Sequence, residues 1–167
     1  MFKTRNTLAQ DVRTQSVELL NLHLAAAIDL HAQAKQAHWN VRGPGFMAVH
    51  TLFDTVSEEV EHFSDMLAER VGGLGGTAGG TIQVATRHSF LLDYPLGIAD
   101  EAQHLFAMAG ALAAFGSSII EAIDKTSAIG DPTTADLLTE ISRGVDQQLW
   151  FVESHLKPNH PDTKSDH

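Results

Sequence analysis

Cysteine is absent from this chain, and the absence removes a whole chemistry. There is no disulfide framework, no thiolate zinc site and no thiol nucleophile, so any metal must be held by carboxylate oxygen and imidazole nitrogen. No apolar run approaches the ~18–20 residues that a bilayer span needs, so no membrane partner is expected. The opening MFKTRNTLAQ also lacks the apolar core of a signal peptide, and the expected location is the cytoplasm. Basic residues are scarce: 11 Lys and Arg stand against 21 Asp and Glu, for a net charge of −10. A surface with that balance is poorly suited to gripping nucleic acid and well suited to attracting cations. In place of what is missing there are 10 histidines and a hydrophobic share of 43%. That is enough apolar material for one domain with a proper core.

The most informative stretch is Phe46 to Val71, FMAVHTLFDTVSEEVEHFSDMLAERV. At roughly 100° per residue, a helix places His50, Asp54, Glu58, Glu61, Asp65 and Glu69 within one arc. Val49, Phe53, Val56, Val60, Phe63 and Leu67 fall on the opposite arc and read as the face that packs. Carboxylates stacked this densely repel one another unless cations sit among them. Two explanations stand: a solvated acidic face, or ligands for a metal.

Four long helical segments can be read along the chain. The first runs from about Thr14 to Trp39 and ends at Arg42-Gly43-Pro44-Gly45. The second is the acidic helix, closed by Gly72-Gly73-Leu74-Gly75-Gly76. A glycine-rich connection follows, with a short helical piece expected at Thr81–Ala85, and a third helix runs from Leu96 or Gly97 to Ala128. Gly130-Asp131-Pro132 stops it and starts a fourth, with Asp131 as N-cap and Pro132 in the first helical position. That helix reaches about His155. Residues 1–13 are expected as a flexible tail, 14–156 as the bundle and 157–167 as a polar tail. Helices of ~26 residues span about 39 Å, and the middle connection is long enough to run that length. The expected fold is therefore all-α: a ferritin-like four-helix bundle with one long crossover carrying a short helix between the second and third helices.

Such bundles commonly hold two irons inside one subunit, through Glu-x-x-His spacings. Glu59–His62 and Glu101–His104 have that spacing. Yet Glu59 and His62 flank the apolar arc of their helix, and Glu101 lies in a first turn, where an acid also suits the helix dipole. The acidic stripe points away from its own core. His50 with Asp54, and Asp65 with Glu69, form clusters one turn apart, but His50 and Glu69 are about 28 Å apart along the helix. A symmetric dimer with two such helices antiparallel would bring one chain's early cluster to the other's late cluster. His38 ends the first helix on its apolar stripe, where a satisfied core histidine is the competing reading; His31 lies about two turns away and is read as core.

Lys35-Gln-Ala-His38-Trp39-Asn, Ala48-Val49-His50 with Asp54, Asp65-Met-Leu-Ala-Glu69-Arg70, Leu74-Gly-Gly and Leu149-Trp150-Phe151-Val152-Glu153-Ser154 together resemble the Dps family, the DNA-binding proteins from starved cells. The resemblance covers about Thr14 to Glu153. It implies a hollow homo-dodecamer that oxidises ferrous iron, preferably with hydrogen peroxide, and stores it as ferric oxide. It also implies a ferroxidase site at the two-fold interface, where His38, His50 and Asp54 of one chain meet Asp65 and Glu69 of its partner. Trp39 is expected near the iron, or as an anchor of the helix end, and His62 at the edge of the interface. An acidic pore at the three-fold axis, for iron to cross the shell, would draw on Asp131, Asp136 and Glu140; capping explains Asp131 equally well.

DNA binding, prominent in that family's name, is expected to be weak near neutral pH. The tail before the first helix offers only Lys3, Arg5 and Arg13 against Asp11, and the C-terminal tail balances Lys157 and Lys164 with Asp162 and Asp166. Protonation of His155, His160 and His167 would strengthen it on acidification. Two rivals remain: a non-catalytic nucleoid-packing shell, and an intrasubunit di-iron protein.

Overall fold

A computed structural model describes residues 1–156, so the polar tail expected at 157–167 lies outside the described residues. Among them are five helices: α1 (Gln10–Asn40), α2 (Phe46–Gly73), α3 (Ile82–His88), α4 (Glu101–Ala128) and α5 (Pro132–Glu153). Four are the long helices of the bundle and α3 is the short piece inside the crossover.

The helix ends follow capping chemistry. Asp131 accepts from the Thr134 N–H at 3.0 Å, with Pro132 in the first helical position, as the sequence predicts. Asp100 accepts from the N–H groups of Ala102 and Gln103 at 2.9 and 3.4 Å. That cap moves the start of α4 to Glu101, later than the Leu96 or Gly97 expected from pattern. At the other end of the chain α1 begins at Gln10 rather than Thr14. The segment before it and its first turn are tied to the end of α2. Phe2 N–H donates to the Gly75 carbonyl at 2.6 Å, and the Arg13 guanidinium donates to the Leu74 carbonyl at 3.1 Å. Gly75 has φ +82°, and a Cβ there would lie 2.8 Å from the Phe2 carbonyl oxygen, so glycine is required twice over.

Cross-helix contacts give the register. Between α1 and α2, His38 meets His50, Lys35 meets Asp54 and His31 meets Ser57, which makes the pair antiparallel. Between α1 and α4, Arg42 bridges to Asp100 while His23 bonds Ser118, again antiparallel. Two helices antiparallel to α1 are parallel to each other, so α2 and α4 run the same way. That is the consequence of the long crossover, and the ferritin-like arrangement follows.

The predicted apolar arc of α2 is the buried one. Val49, Phe53, Val56, Val60, Phe63 and Leu67 are all 3% exposed or less, and they close on Met108, Leu112 and Phe115 of α4 and on Leu138 and Ile141 of α5. Burial at roughly 1.5–3 kcal/mol per large apolar side chain is what holds the bundle.

One helix, α4, is by length and average composition apolar enough to cross a membrane, with an 18-residue window of mean hydropathy 1.6. The reason is physical. Leu105, Met108, Leu112, Phe115 and Ile119 line the bundle interior, while Phe106 and Ile120 face outward on the same helix. An apolar stripe on one side and small or apolar residues on the other raise the average without making a continuous apolar run.

Candidate metal centre

His38, in the last turn of α1, and His50, in the first turns of α2, face each other across the Gly43-Pro44-Gly45 turn. Their rings stack at 3.7 Å between centroids, 22° from parallel. Each imidazole uses Nδ1 to bond the other's backbone: His38 Nδ1 to the His50 carbonyl and His50 Nδ1 to the His38 carbonyl, both at 2.8 Å. A carbonyl only accepts, so each Nδ1 carries the proton and each Nε2 presents a lone pair. This is how proteins orient imidazole toward a metal: the far nitrogen is fixed by a carbonyl and the near one is left free. Phe46 packs on His50 with centroids 4.8 Å apart and completes the stack.

Asp54 lies one turn further along α2. Its Oδ1 is 2.6 Å from Lys35 Nζ and 3.8 Å from His38 Nδ1. The hydrogen bond from Lys35 holds the Asp54 carboxyl below its usual range. Lys35 Nζ also lies 5.9 Å from the centroid of the Trp39 ring, which is 66% exposed. Pattern reading passed over Lys35. The signal was there: Lys35 is three residues before His38 and so shares its face.

The other predicted ligands are elsewhere. Asp65 and Glu69 lie near the far end of α2 and are exposed, as are Glu58, Glu61 and His62. Glu58, Glu61, His62 and Asp65 line one shallow depression bordered by Leu24, Ile28 and Gly80. Among the described residues no three His, Asp or Glu side chains converge to hold an ion within one chain. The fold thus sets His38, His50 and Asp54 side by side without closing them on one point, and keeps Asp65 and Glu69 apart from them.

The Glu-x-x-His spacings go to other uses. His104 is 1% exposed and its Nδ1 is 2.7 Å from Tyr94 Oη, while burial lowers its pKa. Glu59 lies against Gly144 of α5 and His62 faces outward.

Asp131 requires a correction. Its side chain is fully buried, and both oxygens are engaged. Oδ1 accepts from Arg70 at 2.8 Å, and Oδ2 accepts from the hydroxyls of Ser16 and Thr134 at 2.7 and 2.5 Å. Burial alone would raise the Asp131 pKa; those hydrogen bonds and the Arg70 charge reverse this and hold it low. It is a structural cap tying α1, α2 and α5, not a pore carboxylate. Asp136 and Glu140 are exposed, one turn apart on α5. The Arg70–Asp131 pair spans 61 residues, and nothing local in the sequence announces it.

With this geometry in view, comparison with known proteins is decisive. The ferritin-like domain family matches residues 17–158. A DNA protection during starvation protein of Agrobacterium fabrum is 42% identical over 155 residues, covering 93% of this chain and 96% of its own length. The chain belongs to the Dps family. Among solved Dps structures, DpsA14 from Streptomyces coelicolor superposes with a TM-score of 0.88 at 35% identity, covering 93% of this chain and 92% of that one. Mycobacterium smegmatis Dps gives 0.89 at 28% identity, covering 95% and 96%. The fold and the iron-storage and DNA-protection class of this Dps protein are thereby established.

Proposed function

We propose that this Dps protein is a ferroxidase whose centre is shared between two subunits. The observation that carries the proposal is the pairing of unlike halves on one helix. His38 and His50 are locked with Nε2 free, while Asp65 and Glu69 stand exposed about four turns further along α2. An antiparallel two-fold pairing of α2 with its copy sets each half opposite the other and makes two equivalent sites.

The ligand set suits iron as substrate. Imidazole binds Fe(II) well, carboxylates bind both Fe(II) and Fe(III), and a site this open leaves positions for an oxidant. Asp54 joins the set once Fe(II) displaces Lys35 from its Oδ1. The electrons balance with hydrogen peroxide. Two Fe(II) each lose one electron, the O–O bond accepts both, and two protons complete two waters. Pairing the electrons this way releases no hydroxyl radical. Trp39, beside His38, is placed to intercept stray oxidising equivalents.

Storage of the ferric product as oxide inside a dodecameric shell completes the reading, with Asp136 and Glu140 at a three-fold passage for iron and His62 at the edge of the dimer interface. The net charge of −10 per chain disfavours direct DNA contact near neutral pH. Protection of DNA in the cytoplasm would then act by removing iron and peroxide together. The test is subunit mixing. A His50→Ala chain and an Asp65→Ala/Glu69→Ala chain are each expected to lose peroxide-dependent Fe(II) oxidation. Co-refolding the two restores part of it, because one site of each mixed dimer has both intact halves. No recovery in verified mixed dimers sinks the shared-site reading.

A further inference from the structure

Glu101 opens α4, yet its carboxylate leans onto the turn that launches α2. A Cβ on Gly43 would collide with Glu101 Oε1, and one on Gly45 would lie 3.1 Å from Oε2. A side chain at either position would have to push the carboxylate off the turn. Oε1 is buried and has no hydrogen-bond partner among the described residues, a costly state unless positive potential faces it. The source of that potential is adjacent. The N-cap of α2 is Gly45, with no side-chain cap, and the first turn of α2 holds no acidic residue. Such a helix start carries roughly half an elementary positive charge from its aligned peptide dipoles, although the Phe46 and Ala48 N–H groups are bonded to the Gly43 and Gly45 carbonyls at 3.1 and 3.0 Å. The backbone pins the same junction, since Arg42 N–H donates to the Ala99 carbonyl at 2.8 Å. The first-turn position of Glu101 in α4 explains an acid there but not its lean toward α2, and Asp100 already caps α4.

We infer that Glu101 is the anionic cap of α2, supplied in trans from α4, and that it acts through the first turn of α2 as a positioning residue for the histidine half-site. The relay is short. Phe46, the first residue of α2, packs on His50, and His50 stacks on His38. A frayed first turn shifts Phe46 and then the two imidazoles whose Nε2 atoms must stay aligned.

Glu101→Gln keeps the size and removes the charge. In the full-length assembled protein, amide exchange at residues 46–50 is expected to quicken by about fivefold, with α4 unchanged. Affinity for Co(II), a probe that does not depend on turnover, is expected to fall by a similar factor; this arm rests on the metal-site reading. Glu101→Asp, which retains the charge, keeps exchange slower than Glu101→Gln. As a second variant, Gly45→Ala pushes the carboxylate away and is expected to quicken exchange in the wild type but add nothing to Glu101→Gln. Wild-type exchange at 46–50 in Glu101→Gln overturns the inference, and so do fully additive effects of the two changes. If His50→Ala binds Co(II) as tightly as wild type, the metal-site reading has failed instead, and exchange alone decides the role of Glu101.

Discussion

The two ends of α2 carry ligand-type residues in opposite states. At the start, His50 is half-buried, stacked on His38 and hydrogen-bonded through Nδ1, and Asp54 is already paired with Lys35. Near the end, Asp65 and Glu69 are exposed, and only the neighbouring Arg70 is anchored, by Asp131 and Thr134. Imidazole binds through one directional lone pair and must be aimed, so the protein spends its contacts on orientation there. A carboxylate offers two oxygens with several lone pairs and tolerates approach from a range of directions. One end is therefore organised and the other adaptable, which is the division of labour the proposed shared centre would need.

Breaking the organised end should have the largest effect. His50→Ala removes a proposed ligand and unstacks His38 together. The expected loss of Co(II) affinity by calorimetric titration exceeds the roughly 10–100-fold that losing an outer partner costs. Asp65→Ala alone should lose less, since Glu69 remains one turn away; equal losses would dissolve the contrast between the two ends.

The anchor of the carboxylate end comes next. Asp131→Ala strands the Arg70 guanidinium and the Thr134 N–H, and is expected to cost about 3 kcal/mol in urea unfolding. Because the folded pKa of Asp131 is lowered, its stabilisation is present above the ordinary aspartate value and lost as pH falls through the folded one. Wild-type stability should thus decline in acid more steeply than that of the variant.

A smaller effect, in the opposite direction, is expected for Lys35→Met. Removing the cation from Asp54 should raise Co(II) affinity by up to about fivefold, the range of a half-exposed ion pair. The Asp54 carboxyl should also titrate closer to its usual value. Weaker binding in Lys35→Met would show that Lys35 holds Asp54 in place rather than competing for it.

His23 sharpens the comparison from a third direction. It is 2% exposed, with Nδ1 on the Leu19 carbonyl at 2.8 Å and Nε2 on the Ser118 hydroxyl at 3.0 Å, so neither nitrogen is free for a metal. Burial lowers its pKa from 6.5, opposed by its backbone bonds. The folded state therefore keeps His23 neutral. Its stabilisation is full above pH 6.5 and lost as pH falls through the lower folded pKa, at no more than about 1.4 kcal/mol per pH unit. A flatter decline of stability between pH 7 and 5 in His23→Leu than in wild type, by urea midpoints, is the expected result.

Much of this was legible beforehand because it is periodic or local. The apolar arc of α2 repeats at helical spacing, Asp131-Pro132 is a start signal in adjacent residues, and the loop lengths alone set which helices run parallel. Asp131 shows the limit. Its cap was readable, but its burial depends on Ser16 and Arg70, brought to it by packing from distant parts of the chain. So a residue that spacing offered to a pore became a core strut. The start of α4 was missed because Asp100 caps it from within a stretch whose hydropathy gave no boundary.

By itself, then, the sequence determined which donors are at hand, since a chain without cysteine and rich in histidine and carboxylate offers mainly oxygen and nitrogen. It also determined that α2 has one wet face and one dry face, because period and side-chain type are local properties. Tertiary structure alone decided which nitrogens are free. That choice depends on His38 and His50 each reaching the other's carbonyl across a turn, and a hydrogen bond between two helices exists only once their register has been set.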